Sequence, residues 1–219
     1  MLRAAAVEAL ARRDAERRVE AARRALSDDY PRVRTEAVRV LDAADQGDDV
    51  LAALAREDSW PMVRAAAVEA LWDRPSGRAV VRAAVRDRSQ RVRRSAVLAL
   101  ARARDREAWP LVRARLADAN EWPQVTVAAL RYVHDLCLRE ASDALVAVIR
   151  RGLEPEPFQP DVDVAAVAVD LALLLGGPRR RRRAASRIGP TSRRACARPS
   201  SGGSAARGGA GADSVPLQP

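Results

Sequence analysis

The sequence predicts an all-α fold: an α-solenoid of five to six antiparallel helix pairs, followed by a disordered basic tail. Three observations predict it. The line DSWPMVRAAAVEAL at 58–71 recurs as DDYPRVRTEAVRVL at 28–41 and DRSQRVRRSAVLAL at 87–100, with decayed copies NEWPQVTVAALRYV at 120–133 and QPDVDVAAVAVDL at 159–171. The apolar residues of the line, Val63, Ala67, Ala70 and Leu71, fall at i, i+4, i+7 and i+8, which is one face of a helix. Apolar content is 48% but aromatics are only 3%, and Ala supplies much of the remainder, a composition suited to closely packed helices with small residues at their contacts.

The copies set the phase of the chain. Anchored on Leu2, Val33, Val63, Val92, Val125 and Val162, the steps are 31, 30, 29, 33 and 37 residues. A near-constant period of this length in a helical pattern marks a repeat array, in which each unit buries its apolar face only against its neighbours.

In chain order, LRAAAVEAL at 2–10 matches VRAAAVEAL at 63–71, so the first helix, 2–12, reads as the second helix of a repeat that lacks its first. A helix follows at 15–27, with Val19, Ala22 and Leu26 on one face, and then the helix-start turn Ser27-Asp28-Asp29-Tyr30. Further helices are expected at 31–44, 48–57, 61–73, 77–87, 89–103, 106–118, 122–138 and 141–151. Pro31, Pro61 and Pro123 suit the first helical position, where a missing N–H costs nothing. Short connections, punctuated by Gly47 and by Pro75-Ser76-Gly77, fit antiparallel neighbours. The acidic, Pro-rich loop LEPEPFQP lengthens the last step, and a final helix at 161–175 stops at Gly176-Gly177-Pro178.

The net charge of +10 is unevenly placed. Residues 178–219 hold ten Arg and one acid, whereas 1–177 hold 29 Arg against 28 acids, so the repeat body is almost neutral. The chain contains no Lys, which is read as codon bias in a GC-rich genome. The tail is poor in apolar residues and cannot offset the entropy of ordering, so 178–219 is expected to be disordered. Its run Arg179, Arg180, Arg181, Arg182 and Arg183 is the candidate for contact with nucleic acid or another acidic partner. Within the body, Arg86, Arg88, Arg91, Arg93 and Arg94 form the densest basic spot, readable as a phosphate contact or as part of a structural ion-pair series.

Catalytic chemistry finds little support. His134 is the single histidine, and its neighbour Asp135 is expected on a different helix face, so neither a general base pair nor a metal site is predicted. Cys137 and Cys196 lie far apart and suggest neither a disulfide framework nor a metal cluster, in keeping with a reducing compartment. No cofactor is expected. Glu8 interrupts the N-terminal apolar run and Asp163 and Asp170 interrupt the last one, so neither a signal peptide nor a membrane span is predicted, and a cytoplasmic location is expected.

The aromatics before the repeat prolines, Tyr30, Trp60 and Trp122, share one register and would line one edge of the array. They read either as hydrophobic staples on the following helix or as anchors for a partner protein. Trp72 and Trp109 lack that register and are expected to serve in packing.

The recurring D-x-x-P-x-V-R-x-x-A-V-x-A-L resembles the HEAT repeat, in particular its short bacterial form of about 30 residues. The resemblance spans roughly 1–176 and is specific because the line recurs in register. It implies a ladder between an Asp in the turn and an Arg six residues later, here Asp28/Arg34, Asp58/Arg64 and Asp87/Arg93. At the fourth copy these positions hold Asn120 and Thr126, and at the fifth Pro157 and Asp163, so the ladder is expected to fade toward the C-terminus. The resemblance implies a non-catalytic scaffold or adaptor that binds another protein. Nucleic-acid binding is the alternative, through the tail or in the manner of the similar alkylpurine DNA glycosylases. Bilin lyases of phycobilisomes also carry similar short repeats, a remote third reading.

Overall fold

A computed structural model describes residues 15–153 and 162–175. Among these, ten α-helices and three short 3-10 turns account for the regular structure, and there is no strand. The helices are α1 (Ala15–Ala25), α2 (Pro31–Ala43), α3 (Asp48–Glu57), α4 (Pro61–Ala70), α5 (Arg78–Ala84), α6 (Gln90–Arg102), α7 (Trp109–Ala117), α8 (Pro123–Leu136), α9 (Ser142–Leu153) and α10 (Val162–Leu175). The expected first helix at 2–12, the loop at 154–161 and the tail at 178–219 lie outside the described residues.

The even-numbered helices are the second helices of the repeats. They pack in sequence, α2 on α4, α4 on α6, α6 on α8 and α8 on α10, and each also packs on the odd-numbered helix before it. The result is a two-layered α-solenoid, with the first helices forming the other layer. One run of buried apolar side chains extends from Val38 and Leu51 through Val97 and Leu130 to Leu175, and a smaller cluster around Ala22, Ala37 and Leu41 closes the α1–α2 end. Leu26 packs against both. Buried Ala67, Ala70, Ala96 and Ala99 keep the α4–α6 contact thin, which is where the alanine-rich composition is used.

The repeat turn is built locally. The carboxylate of Asp28 accepts the N–H of Tyr30 at 2.9 Å, Asp58 that of Trp60 at 2.8 Å, and Asp87 that of Ser89 at 2.7 Å. These side-chain turns hold the next residue extended, as the following proline demands of Tyr30 and Trp60, and the helix then starts at Pro31 or Pro61.

Several boundaries differ from expectation. α4 ends at Ala70 instead of 73, because Leu71 already leaves the helix toward the turn. The segments at 75–77 and 106–108, expected to be α-helical or loop, are 3-10 turns, and α5 is consequently only seven residues long. Gly77 lies against Leu71, so closely that a Cβ there would sit 2.7 Å from the Leu71 Cβ. Gly47 adopts φ +83°, the left-handed conformation that lets the chain turn directly into α3.

Candidate interaction surface

Along the edge where each first helix turns into its second, the arginines form a relay. Arg34 donates to both carboxylate oxygens of Asp58, at 2.8 and 2.9 Å, and its third nitrogen donates back to the Asp28 carbonyl at 2.7 Å. Arg64 repeats the pattern one unit on, with both oxygens of Asp87 at 2.9 Å and the Asp58 carbonyl at 2.7 Å. Each guanidinium thus holds the backbone of its own turn and the carboxylate of the next. Arg suits this role because its planar fork meets two oxygens at once while a further N–H remains free.

Arg93 donates to the Asp87 carbonyl at 2.9 Å and grips the carboxylate of Glu121 with Nε at 2.9 Å. The expectation that the series fades at Asn120 is therefore corrected by one residue. Asn120 is taken up by the turn of Asp118, whose carboxylate accepts its N–H at 3.0 Å, and the side chain of Glu121 reaches the ladder position. An extra methylene compensates for the shift in register. Glu121 also accepts the Trp122 N–H at 2.9 Å and Arg115 at 3.3 Å, and its side chain is completely buried. At the next Arg position, Thr126 is buried and bonds back to the Trp122 carbonyl, so no guanidinium continues the relay.

The electrostatics follow the contacts. Burial alone would raise the Asp87 carboxyl, but hydrogen bonds from Arg64 and the Ser89 N–H outweigh it and hold the group below its ordinary value. On the opposite edge, where one repeat passes to the next, Asp105 is held low chiefly by Arg82, which donates to both its oxygens at 2.7 Å. There Arg74 also donates to Asp48 and to the Ala70 carbonyl, and the Tyr132 hydroxyl donates to the Asp105 carbonyl at 2.5 Å. Sequence reasoning missed this second set because its members share no repeated spacing.

Tyr30, Trp60 and Trp122 stand at the starts of α2, α4 and α8 and are 59%, 51% and 53% exposed. Ser89 takes the corresponding place before α6, which leaves a gap in the row. Trp72 and Trp109 pack against the core, and Arg102 lies over the Trp72 ring at 4.2 Å from its centre.

The outer face of the second-helix layer carries a groove of about 300 Å³ across α2, α4 and α6. Its lining includes Val38, Met62, Ala65 and Ala66, flanked by Arg39 on one side and Arg91 and Arg94 on the other. A second, smaller depression lies between α6 and α8 beside Leu98, Arg102 and Arg131. Of the basic spot seen in the sequence, Arg93 is committed to the ladder, whereas Arg86, Arg88, Arg91 and Arg94 are exposed.

One sequence expectation needs correction. His134 and Asp135 do meet near the end of α8, with Nδ1 and Oδ1 2.9 Å apart. Both groups remain partly exposed on the surface. Cys137 is partly buried against the core and takes the left-handed conformation that ends α8. Among the described residues no group of three or more His, Cys, Asp or Glu side chains is arranged to hold a metal ion, and no helix is long and apolar enough to cross a membrane. Arg179 to Arg183 lie outside the described residues.

A family model described as HEAT repeats matches the chain twice, over residues 1–72 and 49–131. No curated protein matches it.

Proposed function

Because the chain belongs to the HEAT-repeat family, whose repeats generally mediate protein–protein interaction, we propose that it is a non-catalytic scaffold or adaptor that binds another protein. The observation that carries this reading is the exposure of three large aromatic rings on one edge of the array, Tyr30, Trp60 and Trp122. The backbones beneath them are fixed by the turn carboxylates, so the rings are presented from rigid positions. Large aromatic side chains carry much of the energetics of protein interfaces. The ladder pairs Asp28/Arg34, Asp58/Arg64 and Asp87/Arg93 serve this scaffold by fixing repeat against repeat, and are not themselves the site.

The body, residues 1–177, is nearly neutral, and this favours a protein partner over the phosphate backbone for the repeats. Contact with nucleic acid belongs instead to the tail at 178–219 and its Arg179–Arg183 run, within a cytoplasmic protein that needs no cofactor.

The test is affinity capture from the source cells with the full chain, the Tyr30→Ala/Trp60→Ala/Trp122→Ala variant and a variant with Arg179 to Arg183 changed to Ser. A protein partner recovered by the parent and the Ser variant, and lost severalfold by the aromatic variant, is the expected result. Recovery of nucleic acid alone, abolished by the Ser changes, would reject the scaffold reading.

A further inference from the structure

The groove across α2, α4 and α6 has a charge imbalance that the sequence did not reveal. Its acids are already engaged: Glu69 accepts the Ser95 hydroxyl at 2.5 Å, and Asp42 is paired with Arg74. Arg39 is paired with Glu36 on its own helix. Among the described residues, Arg91 and Arg94 make neither an ion pair nor a side-chain hydrogen bond. They stand three residues apart on one face of α6, and like charges at that spacing oppose each other. A local rule broken without compensation inside the fold is expected where a surface is kept for a ligand. Beside them, Met62, Ala65 and Ala66 on α4 supply an apolar floor that small side chains leave low.

We propose that this groove takes an acidic segment of the partner protein, with carboxylates on Arg91 and Arg94 and an apolar side chain between them on the Met62–Ala66 floor. The proposal rests on the scaffold reading and specifies its partner chemistry. A carboxylate matches a guanidinium fork with two parallel hydrogen bonds. A nucleic-acid backbone fits less well, because the near-neutral repeat body offers it two arginines in one short groove and no extended basic track along the array.

A random peptide library displayed on phage, panned against the full chain, tests the proposal. Enriched peptides are expected to place Asp or Glu around an apolar residue. Synthetic copies, titrated by fluorescence anisotropy, are expected to lose about tenfold or more in affinity toward Arg91→Glu/Arg94→Glu, the loss of roughly one charge-assisted contact or more. Rising salt weakens binding to the parent chain. The control is Arg86→Glu/Arg88→Glu, which alters net charge equally at exposed positions outside the groove lining and is expected to keep its affinity. Circular dichroism establishes that both variants are folded.

Equal losses in the two double variants would overturn the groove in favour of diffuse attraction. Enriched peptides without acidic bias, released by Trp60→Ala and not by the α6 changes, would overturn the groove and leave the scaffold reading standing. Enrichment of nothing, with a short DNA duplex bound through Arg91 and Arg94, would overturn both.

Discussion

Arg64 is the bulkiest fully buried side chain among the described residues, only 2% exposed, and its burial is tolerable because every nitrogen has an oxygen to meet. Removing it strands the Asp87 carboxylate and the Asp58 carbonyl together. Arg64→Ala is expected to cost about 3–5 kcal/mol in urea melts, the range for breaking one half of a buried pair. Arg64→Met combined with Asp87→Leu is expected to recover much of that loss, which a double-mutant cycle measures directly. Arg64→Lys will not substitute, since an ammonium cannot span both oxygens. The pairing also sets a pH dependence. Asp87 and Asp105 have folded values below the unfolded carboxylate value of about 3.9, so their stabilisation is complete above that value and is lost as pH falls through the lower folded one. Melts taken from pH 7 downward are expected to show a falling acid limb, shallower in Asp87→Asn. The partners Asp28/Arg34, Asp58/Arg64 and Asp87/Arg93 were legible because the same spacing of six recurs. Their wiring was not: each Arg bonds the backbone of its own Asp and the carboxylate of the next repeat, a geometry that only packed helices define.

At the scale of elements, the start of each second helix was readable from Asp and Pro, while the first helices and their turns were less so. α5 is short because Pro75-Ser76-Gly77 forms a 3-10 turn pressed onto Leu71. Composition marked that turn, but the close approach at Gly77 depends on the neighbouring chain. Gly77→Ala would place its Cβ 2.7 Å from the Leu71 Cβ and 2.9 Å from its carbonyl oxygen, and is expected to destabilise by about 1–3 kcal/mol in thermal or urea melts. Glu121 shows the same limit from the other side. A search for Asp at fixed spacing passes over it, since it stands one residue late with a longer side chain. Its carboxylate joins α6 through Arg93 to α7 through Arg115 and to the start of α8 through the Trp122 N–H. Glu121→Ala is expected to cost about 3 kcal/mol or more, because two guanidinium partners lose a buried anion at once. Measured by hydrogen exchange, the protection lost will centre on the amides of α7 and α8.

For the whole molecule, the contacts among the described residues are those of a linear array, with α4, α6 and α8 each touching two neighbours in the layer and every second helix touching its own first helix. Damage is therefore expected to stay local. In Arg64→Ala, exchange should quicken in α4 and α6, which lie beside the broken rung, while α8 and α10 keep most of their protection. Uniform loss across all ten helices would show a single cooperative block instead. The solenoid was the most legible feature of the sequence, because periodicity repeats the same evidence several times. The interaction surface was the least legible. Arg91 and Arg94 were visible as charges, but only the packed layers separate them from Arg93, which the ladder consumes. A partner protein bound as proposed lies on the second-helix layer and its aromatic edge. Site-specific photocrosslinking in the source cells tests it most directly, with benzoylphenylalanine placed in the full chain at Met62 or Leu98 on that layer, or at exposed Ala83 on the first-helix layer. A common protein adduct is expected from Met62 and Leu98 and none from Ala83; an adduct from Ala83 alone, or nucleic acid as the only crosslinked species, would rule out a protein partner on the second-helix layer.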